Sequence, residues 1–182
     1  KDIIRSWSEK ADEPAVIDDT RTLTGRQAAA AAKATIDMLT EHGTAHEDII
    51  AFTGSDTLAK FPMNIGILLA GRVTSALAPF ASAPVRQHML SESGARLVLV
   101  DAKTRHMAED VMTADYRVPI VEEESFIDFS QELSPAELTP YAERICGEDW
   151  MTLRYTSGST GEPKGVLMSH AAAANTVQDV AG

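Results

Sequence analysis

Apolar and polar positions along the chain fall into alternating blocks, short β-forming runs separated by stretches with helical spacing. Ala15-Val16-Ile17 is a short apolar run, and Asp18-Asp19-Thr20-Arg21 reads as a turn because Asp side chains can bond the local backbone. Thr24 and Gln27 stand at the spacing of a capping box, which satisfies two unpaired N–H groups at a helix start. They predict a helix through the alanine-rich stretch, stopped by Gly43. Ile49–Phe52 reads as a strand, Leu58–Ala70 as an apolar helix closed by Gly71, Val73–Leu77 as a strand, and Val85–Ser93 as a helix ending at Gly94. Leu97-Val98-Leu99-Val100 is continuously apolar, the pattern of a strand covered on both faces of a parallel sheet. Lys103–Met112 reads as a helix and Val118–Val121 as a strand. No repeat of fixed period is present. The alternation predicts an α/β fold, with a mainly parallel sheet and right-handed crossover helices. Glu122 to Gly147 is more polar, with one short helix expected from Pro135 to Arg144.

Composition narrows the function classes. At 182 residues the chain holds one domain, or a domain and part of a second. Apolar residues at 44% and charged residues at 24% exclude the disordered, collagen-like and disulfide-scaffold classes. With 16 Lys+Arg against 27 Asp+Glu the net charge is −11, so the chain as a whole repels nucleic acid and anionic membrane. Any anionic ligand must therefore be held by a local device. Aromatics at 5% leave little for stacking on bases, and no nucleic-acid partner is expected. The stretch from Phe61 to Val85 carries only Arg72, but prolines and polar residues break it up, so it reads as buried helix plus strand and not as a membrane span. The single cysteine, Cys146, has no internal partner, which fits a reducing, cytoplasmic setting. The opening Lys1-Asp2-Ile3-Ile4-Arg5 has neither an initiator Met nor a secretory apolar region, so the sequence is expected to begin inside a longer reading frame.

The local device is the stretch Tyr155-Thr156-Ser157-Gly158-Ser159-Thr160-Gly161-Glu162-Pro163-Lys164-Gly165-Val166. A polyphosphate needs many short donors converging on one place. Glycines let the backbone curl until its N–H groups point inward, and Ser/Thr hydroxyls add donors without bulk. Lys164 supplies a point charge on a long arm. A Walker loop would place Gly before the lysine and open a helix after it. Here Pro163 precedes Lys164, Gly165-Val166-Leu167-Met168 is β-like, and a helix over Ala171–Val180 starts only at Ser169 as its N-cap. The expectation is strand, loop, strand, with a smaller helix-dipole contribution than in a Walker site. The plain alternative for a Gly/Ser/Thr stretch is a flexible linker. Its tight setting between two apolar runs and its Pro-Lys-Gly ending argue against that.

The same run resembles the phosphate-loop signature of the adenylate-forming (AMP-dependent synthetase and ligase) superfamily, which includes acyl-CoA synthetases, luciferases and peptide-synthetase adenylation domains. Looser resemblance to the N-terminal part of that family extends over nearly the whole chain, through Ala15–Thr24, Leu68–Gly71 and Met89–Leu99. Carried over, it implies that Thr156, Ser157, Gly158, Ser159, Thr160 and Gly161, followed by Pro163, Lys164 and Gly165, wrap the outer phosphates of ATP. It implies attack of a carboxylic acid substrate on the α-phosphate to give acyl-AMP and pyrophosphate, and then transfer to the thiol of coenzyme A or a carrier-protein pantetheine. Magnesium is expected beside the phosphates, although no ligand for it and no catalytic residue stand out in this chain. Family members run to several hundred residues. The resemblance thus implies that residues 1–182 are the N-terminal portion of an adenylation domain, ending just after the phosphate loop at 156–165, and that alone they do not complete adenylation. Ala78-Pro79-Phe80-Ala81-Ser82 departs from the peptide-synthetase pattern and tilts the expectation toward an acyl- or aryl-acid ligase. The rival reading is a non-catalytic nucleotide-binding or protein-interaction module with the same fold.

Other candidates read as structural. His42 and His46 stand four apart, but Gly43 between them ends the helix and removes the shared face. His170 starts the last helix, Cys146 lacks an adjacent base, and Glu122-Glu123-Glu124 is expected to be a solvated run. Trp7 and Trp150 read as core or rim packing residues.

Overall fold

A computed structural model describes residues 1–19, 21–54, 57–156 and 163–181. In chain order it has α1 (Asp2–Glu9), β1 (Pro14–Ile17), β2 (Thr22–Thr24), α2 (Gly25–Glu41), β3 (Ile49–Phe52), α3 (Lys60–Leu69), β4 (Val73–Ala76) and α4 (Ala83–Ser93). Then come β5 (Leu97–Val100), α5 (Arg105–Glu109), β6 (Ile120–Glu122), α6 (Thr139–Arg144), β7 (Trp150–Thr156), β8 (Lys164–Ser169) and α7 (His170–Ala181). The elements form two compact units.

The first unit comprises residues 1–45, 56–71 and 123–145. Its short antiparallel ribbon, β1 against β2, leads into α2. The expected capping box is formed, with the Gln27 N–H donating to Thr24 Oγ1 at 3.3 Å and the Thr24 N–H donating to Gln27 Oε1 at 3.0 Å. Thr24→Ala removes an acceptor that the first turn cannot replace, and should cost about 1 kcal/mol of stability, read as a lower urea midpoint. Ala28, Ala29 and Ala32 give α2 a shallow buried face. Gly66 of α3 comes so close to that face that a Cβ on it would lie 2.5 Å from the Ala32 carbonyl oxygen and 2.6 Å from Thr35 Cβ. Ile4, Trp7, Ile36, Leu69 and Leu138 complete this core. Helix α1 was not expected from the sequence. It is short and mostly polar; Ile4 and Trp7 are buried and Ile3 packs partly against the same core, with the Trp7 ring set edge-on to Phe61 at 6.3 Å.

The second unit, residues 46–55, 72–122 and 146–182, is built on a six-stranded sheet in the order β6-β5-β3-β4-β7-β8. Every neighbouring pair is parallel except β7 with β8. This is the expected α/β architecture. All four residues of β5 are buried, as their unbroken apolar run requires, and Met89 and Leu90 of α4 pack into the same core. Gly94 ends α4 with φ of 64°, a left-handed conformation that a side chain would strain.

Three expected elements differ. The helix expected from Lys103 to Met112 shrinks to Arg105–Glu109, because the Asp101 carboxylate accepts from the Thr104 N–H at 2.7 Å and its hydroxyl at 2.9 Å and holds residues 101–104 as a turn. The strand expected at Val118 begins at Ile120, since Pro119 has no N–H to give the ladder. The apolar helix expected from Leu58 begins at Lys60, with Pro62 in its first turn, where a missing N–H costs nothing.

Candidate functional site

Strand β7 lies parallel to β4, with Thr74 opposite Thr152 and Ser75 opposite Leu153. Two hydroxyls fasten that pairing: Thr74 Oγ1 donates to the Met151 carbonyl and Thr152 Oγ1 to the Thr74 carbonyl, each at 3.2 Å. Because β7 runs with β3, β4 and β5, it delivers Thr156 to the carboxyl edge of those strands. That is the edge where open α/β sheets receive ligands. Strand β8 returns antiparallel, with Thr156 opposite Lys164, Tyr155 opposite Gly165, Arg154 opposite Val166 and Leu153 opposite Leu167. The sequence-based expectation of strand, loop, strand is therefore met on both flanks, and α7 follows with its Ala172 N–H bonded to Ser169 Oγ at 3.3 Å. Of the residues expected to hold phosphates, the structure brings Thr156 and Lys164 side by side at the mouth of the hairpin, both exposed, with Pro163 and Gly165 half-buried beside them. Ser157, Gly158, Ser159, Thr160 and Gly161 lie outside the described residues. Among the described residues, no carboxylate forms an ion pair with Lys164.

Helix α4 supports this mouth. The Tyr155 hydroxyl donates to the Met89 carbonyl at 2.7 Å, and burial, reinforced by the negative charge of Glu92, raises the phenol far above its usual range. Tyr155 therefore stays a neutral donor, an anchor and not a base. Gly165 is hemmed in: a Cβ there would stand 3.0 Å from Leu153 Cδ1 and 3.5 Å from both Tyr155 Cε1 and Glu92 Oε2. The His88 ring lies with Nε2 3.2 Å from the Pro163 carbonyl oxygen. Neither Tyr155 nor His88 was singled out as a site residue from the sequence. Tyr155 at least sits within the motif, whereas His88 lies 75 positions before its partner and carries no local signal.

The remaining candidates separate from this site. His42 Nδ1 lies 2.9 Å from the Met38 carbonyl oxygen at the end of α2. His46 Nε2 stands 3.9 Å from Asp149, whose other carboxylate oxygen accepts from the Cys146 N–H at 2.7 Å. Cys146 is exposed, and among the described residues it joins no disulfide. His170 is half-buried and its imidazole is shifted toward the neutral form by that burial. Trp7 is a core residue, and Trp150, at 40% exposed, is a rim residue. The acidic run is not simply solvated: a short 3₁₀ turn over Glu123–Ser125 directs Glu123 inward, while Glu122 accepts from Arg105 at 3.0 Å. Among the described residues no three carboxylate, imidazole or thiol groups gather as a metal site, and no helix is long and apolar enough to cross a membrane.

Comparison with known proteins points the same way as the hairpin. Tyrocidine synthase 3 of Brevibacillus parabrevis is 31% identical over 165 residues, a match that covers 90% of this chain and 2% of that protein. The fatty acid–[acyl-carrier-protein] ligase ScoC of Streptomyces coeruleorubidus is 27% identical over 157 residues, covering 86% of this chain and 30% of the ligase. The chain thus spans less than a third of the length of either curated relative. Its fold superposes on the crystal structure of the nonribosomal peptide synthetase FmoA3, in its alpha-methyl-L-serine-AMP bound form, with a TM-score of 0.78 at 24% identity, covering 98% of this chain and 19% of that one. A family model described as AMP-binding enzyme matches residues 4–181, both flanks of the hairpin included, and by that match the chain belongs to the AMP-binding enzyme family.

Proposed function

We propose that the protein carrying this chain activates a carboxylic acid with ATP, and that the mouth of the β7–β8 hairpin is where the outer phosphates are held. The observation that supports this best is the placing of Thr156 and Lys164 opposite one another at the carboxyl edge of the sheet, in a chain of this family. In the proposed reaction a carboxylate oxygen attacks the α-phosphorus of ATP, the bond from that phosphorus to the bridging oxygen breaks, and pyrophosphate leaves with the electron pair. A thiol of coenzyme A or a carrier protein then attacks the acyl carbonyl and releases AMP. The Thr156 hydroxyl and the Lys164 ammonium, joined by donors from Ser157 to Gly161 and by Gly165, would lie where negative charge develops on the leaving group. Preorganised donors are most effective there. The described residues assign no ligand to magnesium, which would arrive coordinated by the phosphates themselves. The domain assignment, an N-terminal portion of an adenylation domain, is part of this proposal. So is the expectation that the 182 residues alone do not complete the reaction.

The test is isotope exchange between pyrophosphate and ATP, catalysed by the complete protein that carries this chain, across a panel of fatty, aryl and amino acids. Exchange that depends on at least one acid is the expected result. Absence of exchange with every acid, in a protein shown to be folded, would overturn the proposal in favour of a non-catalytic module.

A further inference from the structure

Both arms of the hairpin are tied to α4, and at adjacent residues. The arm entering the loop is held through Tyr155, whose hydroxyl donates to the Met89 carbonyl. The arm leaving it meets His88, whose Nε2 lies 3.2 Å from the Pro163 carbonyl oxygen. A carbonyl only accepts, so this contact is a hydrogen bond in the tautomer that carries its proton on Nε2. Pro163 stands one residue outside the ladder, whose last pair is Thr156 with Lys164, and a proline has only its carbonyl to offer a main-chain bond. The post that receives it is fixed. His88 is half-buried, and the next two residues, Met89 and Leu90, are 3% and 0% exposed in the core of the second unit.

We propose that His88 is a positioning residue for phosphate binding: by holding the Pro163 carbonyl, it sets where the backbone delivers Lys164. The proposal rests on the reading that Lys164 meets the phosphates of ATP. Without the bond the peptide before Lys164 loses its anchor, and the ammonium spreads over several positions. Binding energy for the nucleotide falls, while the acid, which does not meet Lys164, is bound as before.

The test uses steady-state adenylation kinetics of the complete protein. His88→Phe keeps a flat ring and removes the donor, while His88→Gln puts an amide N–H near the place of Nε2. His88→Phe is expected to raise KM for ATP about fivefold, the loss of one hydrogen bond. KM for the acid should change less than about twofold, and His88→Gln should recover most of the ATP affinity. If His88→Phe does not fold, His88→Asn replaces it, its shorter amide falling short of Pro163, and must give the same rise. An unchanged KM for ATP, an equal rise for ATP and acid, or a His88→Gln enzyme as impaired as the first variant each overturns the proposal. Lys164→Ala run in parallel separates the two readings. If it too leaves KM for ATP unmoved, the phosphate assignment of the hairpin fails. If it raises KM and His88→Phe does not, the role of His88 alone fails.

Discussion

Lys164→Ala in the complete protein is expected to slow acid-dependent pyrophosphate exchange by about 10- to 100-fold, which corresponds to losing about 1.5–3 kcal/mol of charge-assisted contact with phosphate. The size follows from placement. The side chain is exposed at the hairpin mouth, so truncation leaves no cavity and the fold should be untouched. The charge is also unusual in its setting. A chain of net charge −11 offers a polyphosphate a repelling field, which cations at the hairpin mouth such as Lys164 must overcome. Lys164→Arg keeps the charge but exchanges a compact ammonium for a planar fork, and should recover only part of the rate. Measured exchange together with a circular-dichroism melting curve decides the matter: an unchanged rate in a folded variant sinks the phosphate role of this residue.

The second large effect is on stability. Gly66→Ala should destabilise the protein by about 2 kcal/mol, opposite in sign to what helix propensity alone predicts. An interior helical Gly→Ala normally gains about 1 kcal/mol. Here the added methyl would stand 2.5 Å from the Ala32 carbonyl oxygen and 2.6 Å from Thr35 Cβ. Neither neighbour yields cheaply. The first belongs to the α2 backbone, and the second is pinned because Thr35 Oγ1 donates to the Ala31 carbonyl at 2.9 Å. The two helices must therefore part, at an overpacking cost larger than the propensity gain. Urea unfolding gives the answer, and a higher midpoint for the variant would show that α2 and α3 are not in such close approach.

Much of the fold was legible in the sequence because its signals are local. The capping box of Thr24 and Gln27, the glycine stop at Gly94 and the unbroken apolar run of β5 each act within a few residues, and each is found in place. The flanks of the loop were legible for the same reason. Two apolar runs punctuated by Gly, Ser and Thr leave few ways to fold other than back on themselves. Elements set by distant partners were not legible. Helix α1 exists because Ile4 and Trp7 find a core assembled from residues far along the chain, as Leu138 shows. The start of α5 depends on the Asp101 carboxylate, which holds the turn before it, and Glu123 is turned inward by a 3₁₀ turn that no periodicity marks. The supports of the site are of this kind as well. Tyr155 and Met89 are 66 positions apart, and His88 and Pro163 are 75 apart, so their pairing depends on how β7, β8 and α4 come together in the second unit.

The position of β8 at one end of the sheet order has a colloidal consequence. Among the described residues no further strand pairs with its outer side, and Val166 and Leu167 are 50% and 41% exposed along it. An outer strand flanked by greasy side chains is a template on which another chain can add a strand. What opposes such stacking is electrostatic: two copies each carrying −11 repel across the gap. Dispersal of this polypeptide thus depends on its surplus of acids, and salt, by shortening the reach of that repulsion, weakens the protection.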